Sequence, residues 1–391
     1  MHTTEGSAAA RGRALARDGR LDEALTALLA AVGADAADLD AHLGIYEVAQ
    51  ILGREELALA HQRAAIALSP VHSTPAAERE EYALLVVCAP GPYTANTPVD
   101  LLFDPRRVTL HRWYVDPAGG VPALPPHDAV FVAIGESDRA AAHLDAAERF
   151  TARAQRPVVN DPARIRALGR VALGETFARA RRVRAVATTR IARERYARDG
   201  FPVPHIVRPV DAHGGHGLRR IDDDAQRAAY LASTTADALY VAPFVDYRSA
   251  DGYFRKYRIV FVDGEPFAFH LAISPEWMVH YYNAPMTEHA WMRDEERAFF
   301  ADLDGVFCGA LREGLRETAD LLALDYAGID CAIAPDGTLL VFEADNALLV
   351  HVLDDPAVFA YKHEHVPRIF AALDAMVRRR IAGNLRRSRT A

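Results

Sequence analysis

Apolar residues return along this chain in three different rhythms. Over residues 8–32 and 39–69 alanine and leucine recur at helical spacing and predict helices. Residues 71–81, rich in Ser, Thr, Pro and Glu, read as a linker. Unbroken apolar runs then alternate with helical stretches at 83–88, 108–115, 129–135, a helix near 138–154, and 156–160. That alternation predicts a small sheet with crossover helices. From about residue 165 the rhythm changes again, to a helix, then period-two hairpin patterns, then helices at 294–322 and 366–380.

The two N-terminal segments match at an offset of 34 residues, with Gly19 against Gly53, Ala24 against Ala58 and Ala31 against Ala65, and Pro70 closes the second copy. Small residues at those places let helices approach closely, and the offset is the period of a tetratricopeptide repeat. Two repeats are too few for a free-standing solenoid, so this segment is expected to pack on the rest of the chain or on a second subunit, which makes a homodimer a candidate arrangement. The expected divisions are 1–72 helical, 73–164 α/β, and 165–391, the last split into a small part near 180–246 and a large part near 247–391.

Half of the 391 residues are apolar and a quarter charged, enough for a sizeable core in two or three domains. A net charge of -8 excludes a general nucleic-acid binder, and the basic stretch 378–389 reads as a solvated helix face. No apolar run is long enough to span a membrane, and no secretory leader is visible. Cys88, Cys308 and Cys331 follow no metal or disulfide spacing, which fits a reducing cytoplasm. Only two lysines occur, Lys256 and Lys362, amid many arginines. Coding bias explains the scarcity, and a lysine kept against it is a candidate for a site that needs a compact ammonium.

Four segments carry candidate chemistry. In 205–221, Arg208 ends a strand before a turn containing Gly214, Gly215 and Gly217; such backbone can present N–H groups to a polyphosphate, or can be a flexible turn. In 240–247, Pro243 interrupts an apolar strand, which implies an edge strand or a crossing between subdomains. The hairpin 253–274 turns at Asp263-Gly264 and places Lys256 and Arg258 on one face. In 325–347, Glu343 and Asp345 share a face. A turn centred on Asp336-Gly337 sets Asp330 opposite Glu343, an unfavourable pairing of like charges unless a hard cation bridges them. A three-residue loop Pro335-Asp336-Gly337 is the competing register and sends Asp330 and Glu343 to opposite faces.

Taken in this order, the four segments resemble the ATP-grasp superfamily, in particular the branch of glutathione synthetases and ribosomal-protein glutamate ligases, over roughly residues 155–350. The resemblance implies an α+β ATP-grasp fold, two α+β subdomains clamping ATP, preceded by a small α/β pre-ATP-grasp domain and the N-terminal α-helical repeat. It implies ATP contacts from Arg170, Arg208, Gly214, Gly215 and Gly217, and an adenine-reading strand at Pro243, Phe244 and Val245. Two Mg²⁺ ions would sit on Asp330, Glu343 and Asp345. Asp345 stands where the family has an asparagine, with Asn346 as the alternative ligand, and Asp246 is the candidate ribose partner. Arg258, with Lys256 beside it, would neutralise the transferring phosphoryl group. Substrate contacts are expected from the loop 91–98, through Asn96, and from 270–282, through His270 and His280. Either histidine could steer a carboxylate, take a proton from an amine, or be structural.

The activity implied is an ADP-forming carboxylate–amine ligase working through an acyl phosphate on an amino acid, peptide or small metabolite. Two rivals are a phosphotransferase that stops after phosphorylation, and a nucleotide-holding module whose helical repeat docks a partner.

Overall fold

A computed structural model describes residues 7–390 apart from 211, 213, 214 and 281, with side chains placed as far as residue 386. Gly214 therefore lies outside the described residues. The chain divides into two compact units, one of residues 1–135, 142–158 and 383–391, the other of 136–141 and 159–382.

The first unit opens with four helices, α1 (Ala8–Arg17), α2 (Leu21–Ala34), α3 (Leu39–Ile51) and α4 (Glu55–Leu68). The 34-residue offset is geometric as well as chemical: Gly19 and Gly53 both take positive φ, 75° and 70°, and turn the chain at equivalent points. Gly12 and Gly44 let α1 and α3 close on α2, because a Cβ on either would come within 2.5 and 2.8 Å of the Leu28 side chain. Next come β1 (Val71–Thr74), β2 (Tyr82–Cys88), α5 (Val99–Leu102), β3 (Val108–Tyr114), β4 (Ala129–Val132), α6 (Ala141–Thr151) and β5 (Val158–Val159). They form a sheet in the order β1-β3-β2-β4-β5, in which β2 runs parallel to both β3 and β4. All of β2 is buried, as an unbroken apolar run in a parallel sheet should be.

The expected linker is partly a strand. Residues 71–74 pair antiparallel with β3, and the burial of His72 draws this segment onto the sheet edge. The helical segment grips the loop after β2. Tyr46 donates to the Gly91 carbonyl at 3.0 Å, Gln62 accepts from the Gly91 N–H at 2.9 Å and Gln50 from the Tyr93 N–H at 2.5 Å.

The second unit contains α7 (Pro162–Arg166), α8 (Arg170–Phe177), β6 (Val183–Ala185), β7 (Thr189–Ala192), α9 (Arg193–Asp199), β8 (His205–Pro209), β9 (Arg219–Ile221), α10 (Asp224–Ser233) and β10 (Ala238–Pro243). It continues with β11 (Phe254–Val262), β12 (Glu265–Ser274), α11 (Ala290–Ala301), α12 (Leu303–Val306), α13 (Ala310–Leu322), β13 (Tyr326–Ile333), β14 (Leu339–Asp345), α14 (Ala360–His365) and α15 (Pro367–Thr390), the last counted with the first unit from Gly383 on. The predicted helix 294–322 is thus three pieces, because Asp302 caps a new turn through the Gly305 N–H and Gly309 breaks the path with φ 55°. Two sheets result, β7-β10-β8-β9 and β12-β11-β13-β14-β6, so this unit is α+β. No helix among the described residues is long and apolar enough to cross a membrane.

Two sequence expectations need correction here. β10 is not an edge strand, since it pairs with both β7 and β8; Pro243 is tolerated because β7 ends opposite Val241 and leaves no ladder donor to lose. The crossing does exist: Val241 sits in the core of the four-stranded sheet and Tyr247 in that of the five-stranded one. The second correction concerns the turn at Asp336. Ala334 and Thr338 flank a three-residue loop with Gly337 at φ 78°, the register that was to separate Asp330 from Glu343. A bulge between Asp330 and Cys331 then shifts the pairing back, and Asp330 lies opposite Glu343 after all.

Candidate active site

Four consecutive strands of the five-stranded sheet each place one polar residue in a single row. His270 on β12 is paired with Arg258 on β11, Arg258 with Asp330 on β13, and Asp330 with Glu343 on β14. Directly paired residues share a face, so the row is one line of imidazole, guanidinium and two carboxylates. Both irregularities of this sheet touch the row, one after Arg258 and one after Asp330. Bulges re-aim side chains, and here they keep the row in line while the outer parts of both hairpins run one residue out of step.

The row is ion-paired without a metal. Arg258 donates to both Asp330 oxygens, from Nε at 2.6 Å and Nη2 at 3.0 Å, and Lys256 Nζ donates to Oδ2 at 2.9 Å. Burial alone would raise the Asp330 carboxyl; Arg258 and Lys256 hold it far below its ordinary range. Glu343 accepts from Arg170 at 2.5 Å, and this arginine offsets burial and keeps the carboxyl low. Asp345 has no such cation: burial and the nearby Glu343 push it up to about 6, against a hydrogen bond from the Ala347 N–H. Asn346 is fully buried beside it.

Arg170 reaches Glu343 because of the segment before it. Asn160, at φ 63°, grips the start of β13, its Oδ1 accepting from Asp325 and Tyr326 N–H and its Nδ2 donating to the Tyr326 carbonyl. Asp161 caps α7, Pro162 opens it, and α8 begins at Arg170.

Arg208, close enough to feel the charges of Arg170 and Glu343, differs from Arg170, Lys256 and Arg258. It is only 8 % exposed, and its Nε and Nη2 atoms are buried with no acceptor among the described residues. Burial first, and then the charge of Arg170, lower its guanidinium to about 10. A buried guanidinium in that state lacks an anion. The turn that follows is shaped by glycine: Gly215 and Gly217 have φ 75° and 67°, and a Cβ on Gly217 would lie 2.8 Å from Pro209 Cδ.

The other expected residues divide. After Pro243 the Phe244 N–H bonds the Pro204 carbonyl, the Phe244 ring receives Arg220 at 4.0 Å, and Val245 packs into the larger core. Asp246 is engaged by Arg248. His280 is half-buried and stacked on Tyr282; burial, then the charges of Lys256 and Arg258, depress its pKa. Asn96, assigned to substrate, spends its amide on its own loop, accepting from the Ala89 N–H and donating to the Ala89 carbonyl, both at 2.8 Å.

Comparison with known proteins adds little to this geometry. No family model matches the sequence, and no curated protein does. Solved structures overlap it in part. D-alanyl-alanine synthetase A of Vibrio cholerae is 11 % identical, with 79 % of this chain and 99 % of that one covered at a TM-score of 0.48. The D-alanine–D-alanine ligase of Bacillus anthracis, solved with ATP, is 10 % identical over 77 % and 99 % at 0.46. The RimK domain ATP-grasp protein of Sphaerobacter thermophilus is 16 % identical over 74 % and 98 % at 0.43. Scores of this size assign neither an activity nor a substrate.

The donor sets also say which groups the cleft suits. Arg208 fits a phosphate. The carboxylates do not fit the expected pair of Mg²⁺ ions as they stand: Asp330 is taken up by three N–H donors, and no three Asp, Glu, His or Cys side chains are gathered for a metal among the described residues. The expectation that only a cation could relieve carboxylate repulsion is corrected, because protein cations already do so.

Proposed function

We propose that the chain is an ATP-dependent, ADP-forming ligase of the ATP-grasp type, which activates a substrate carboxylate as an acyl phosphate and passes the acyl group to an amine. The observation that carries this reading is Arg208, a buried guanidinium whose Nε and Nη2 have no acceptor among the described residues and which stands with Arg170 beside an ion-paired row. A polyphosphate supplies the missing anion. The sequence resemblance supports the same reading, with Gly215 and Gly217 flanking the phosphates and Pro243 to Val245 lying along the base.

In this scheme Arg208 and Arg170 bind and orient the phosphate chain, and Arg258 with Lys256 faces the group being transferred. Charge that develops on the phosphoryl oxygens is met by cations already held in place by Asp330, so little reorganisation is needed. The helical repeat is read as tetratricopeptide-like, fastened to the loop 91–93 by Tyr46, Gln50 and Gln62.

The complete pairing of Asp330 favours a second reading, a module that holds nucleotide without turning it over. One assay separates the readings. The protein is incubated with ATP and mixtures of amino acids and short peptides, ADP is measured, and products are weighed by mass spectrometry. A condensed product supports the ligase, ADP with a phosphorylated product the phosphotransferase, and ATP binding without ADP the module.

A further inference from the structure

Beneath the row lies a group of buried charges that ATP binding does not call for. Glu296 on α11 is wholly buried, and Lys362 on α14, one of only two lysines, is 2 % exposed. Glu296 Oε1 accepts from His270 Nδ1 at 2.7 Å and from the Leu271 N–H at 3.0 Å, and its Oε2 accepts from the Tyr361 hydroxyl at 2.5 Å. Lys362 Nζ lies 3.4 Å from Oε1, 3.2 Å from Asp354 Oδ1 and 3.3 Å from His270 Nδ1, and Asp354 in turn faces His351 at 3.9 Å. Against the burial that would raise it, His270 and Lys362 hold the Glu296 carboxyl down at about 2. A carboxylate with only donors around it, the nearest ring atom at 2.7 Å, fixes the His270 proton on Nδ1 and leaves Nε2 as the basic nitrogen.

Resting on the ligase reading, we propose that His270 is the base for the incoming amine and that Glu296 is its positioning residue. The imidazole is the cross-strand neighbour of Arg258, so it stands beside the group that faces the acyl phosphate. As the amine lone pair forms the C–N bond, a proton passes from that nitrogen to Nε2. The C–O bond to phosphate breaks and inorganic phosphate leaves with the electron pair. Lys362 and Asp354 hold Glu296 and cap the network with opposite charges.

Hydroxylamine is unprotonated at neutral pH and traps acyl phosphates without a base, which gives the test. Full-length protein, ATP and the standard amino acids are assayed for amide product, and in parallel for hydroxamate with hydroxylamine added. In Glu296→Gln the ratio of amide to hydroxamate should fall roughly a hundredfold. Tyr361→Phe, a milder change should the first variant fail to fold, should lower it in the same direction. Histidine nitrogen NMR of the wild type should show His270, assigned with His270→Gln, protonated on Nδ1. A ratio that stays constant, with both products falling together, or a proton on Nε2, overturns the base role alone. Absence of ADP and hydroxamate from the wild type overturns the ligase reading and the base role with it.

Discussion

Arg170 and Arg208 stand near enough in the cleft for the charge of one to lower the pKa of the other, yet only Arg170 has a carboxylate, Glu343, at 2.5 Å. Among the described residues Arg208 Nε and Nη2 therefore have no acceptor, and the charge of Glu343 compensates the guanidinium only in part. Replacing Arg208 with Met, of similar reach and without charge, should raise the stability of the unliganded protein by about 1 kcal/mol, because an unsatisfied buried polar group is removed. The same change should erase stabilisation by ATP. Thermal melts with and without nucleotide check both; a less stable variant that still responds to ATP would count against the anion site.

Asp330 and Glu343 should respond differently to truncation. Asp330→Ala strips Arg258 and Lys256 of their shared partner in the buried part of the row and should cost roughly 3 kcal/mol in a urea titration. Glu343 is half-exposed, so Glu343→Ala should leave the fold nearly intact and lower ADP formation by unseating Arg170, while an ATP-induced thermal shift persists through Arg208. Asp345→Asn should be tolerated, since burial and Glu343 already favour its uncharged form up to about pH 6.

Magnesium dependence follows from the same pairing. With Arg170, Arg208, Lys256 and Arg258 in the cleft against Asp330 and Glu343, a nonhydrolysable ATP analogue is expected to bind measurably in the presence of a chelator. Calorimetry with and without magnesium is the check, and complete loss of binding in the chelator would show that the carboxylates need a cation to receive phosphate.

Acid should weaken the fold before the ion-paired carboxylates Asp330 and Glu343 titrate, with Asp345, raised to about 6, opposing the histidines in part because its folded form takes up a proton first. His61, His72, His205 and His270 all have pKa values below the ordinary 6.5, in each case first because of burial. The unfolded chain then binds protons near pH 6.5 that the folded chain refuses, so stability is full above that pH and declines as the pH falls through it. Urea midpoints at pH 7.5 and 5.5 should differ, the lower pH giving the lower midpoint.

What could be read in the sequence follows the range of each interaction. The turn at Asp263-Gly264 was legible because local chemistry makes it, with φ of 54° and 83°. Lys256 and Arg258 were legible because strand alternation puts them on one face. Asn160, Glu296 and the service of Arg170 to Glu343 were not, since their partners lie 26 to 173 residues away and nothing in the local pattern marks them. Asn96 misled for a related reason: an asparagine in a loop after a strand looks the same whether it serves a ligand or its own backbone.

The acidic hairpin reached its expected pairing by a different route, since its three-residue turn is offset by one and its bulge, at Phe342, restores the frame. The two behave like a frameshift and its suppressor. Closing the bulge with no residue removed would set Phe342 opposite Asp330 and turn Glu343 to the other face of the sheet, whereas removing Phe342 itself, or one residue of the loop between Ala334 and Thr338, would leave Asp330 opposite Glu343. In comparisons of related chains, a one-residue deletion at 335–337 or at 342 should therefore be found by itself, with the row retained.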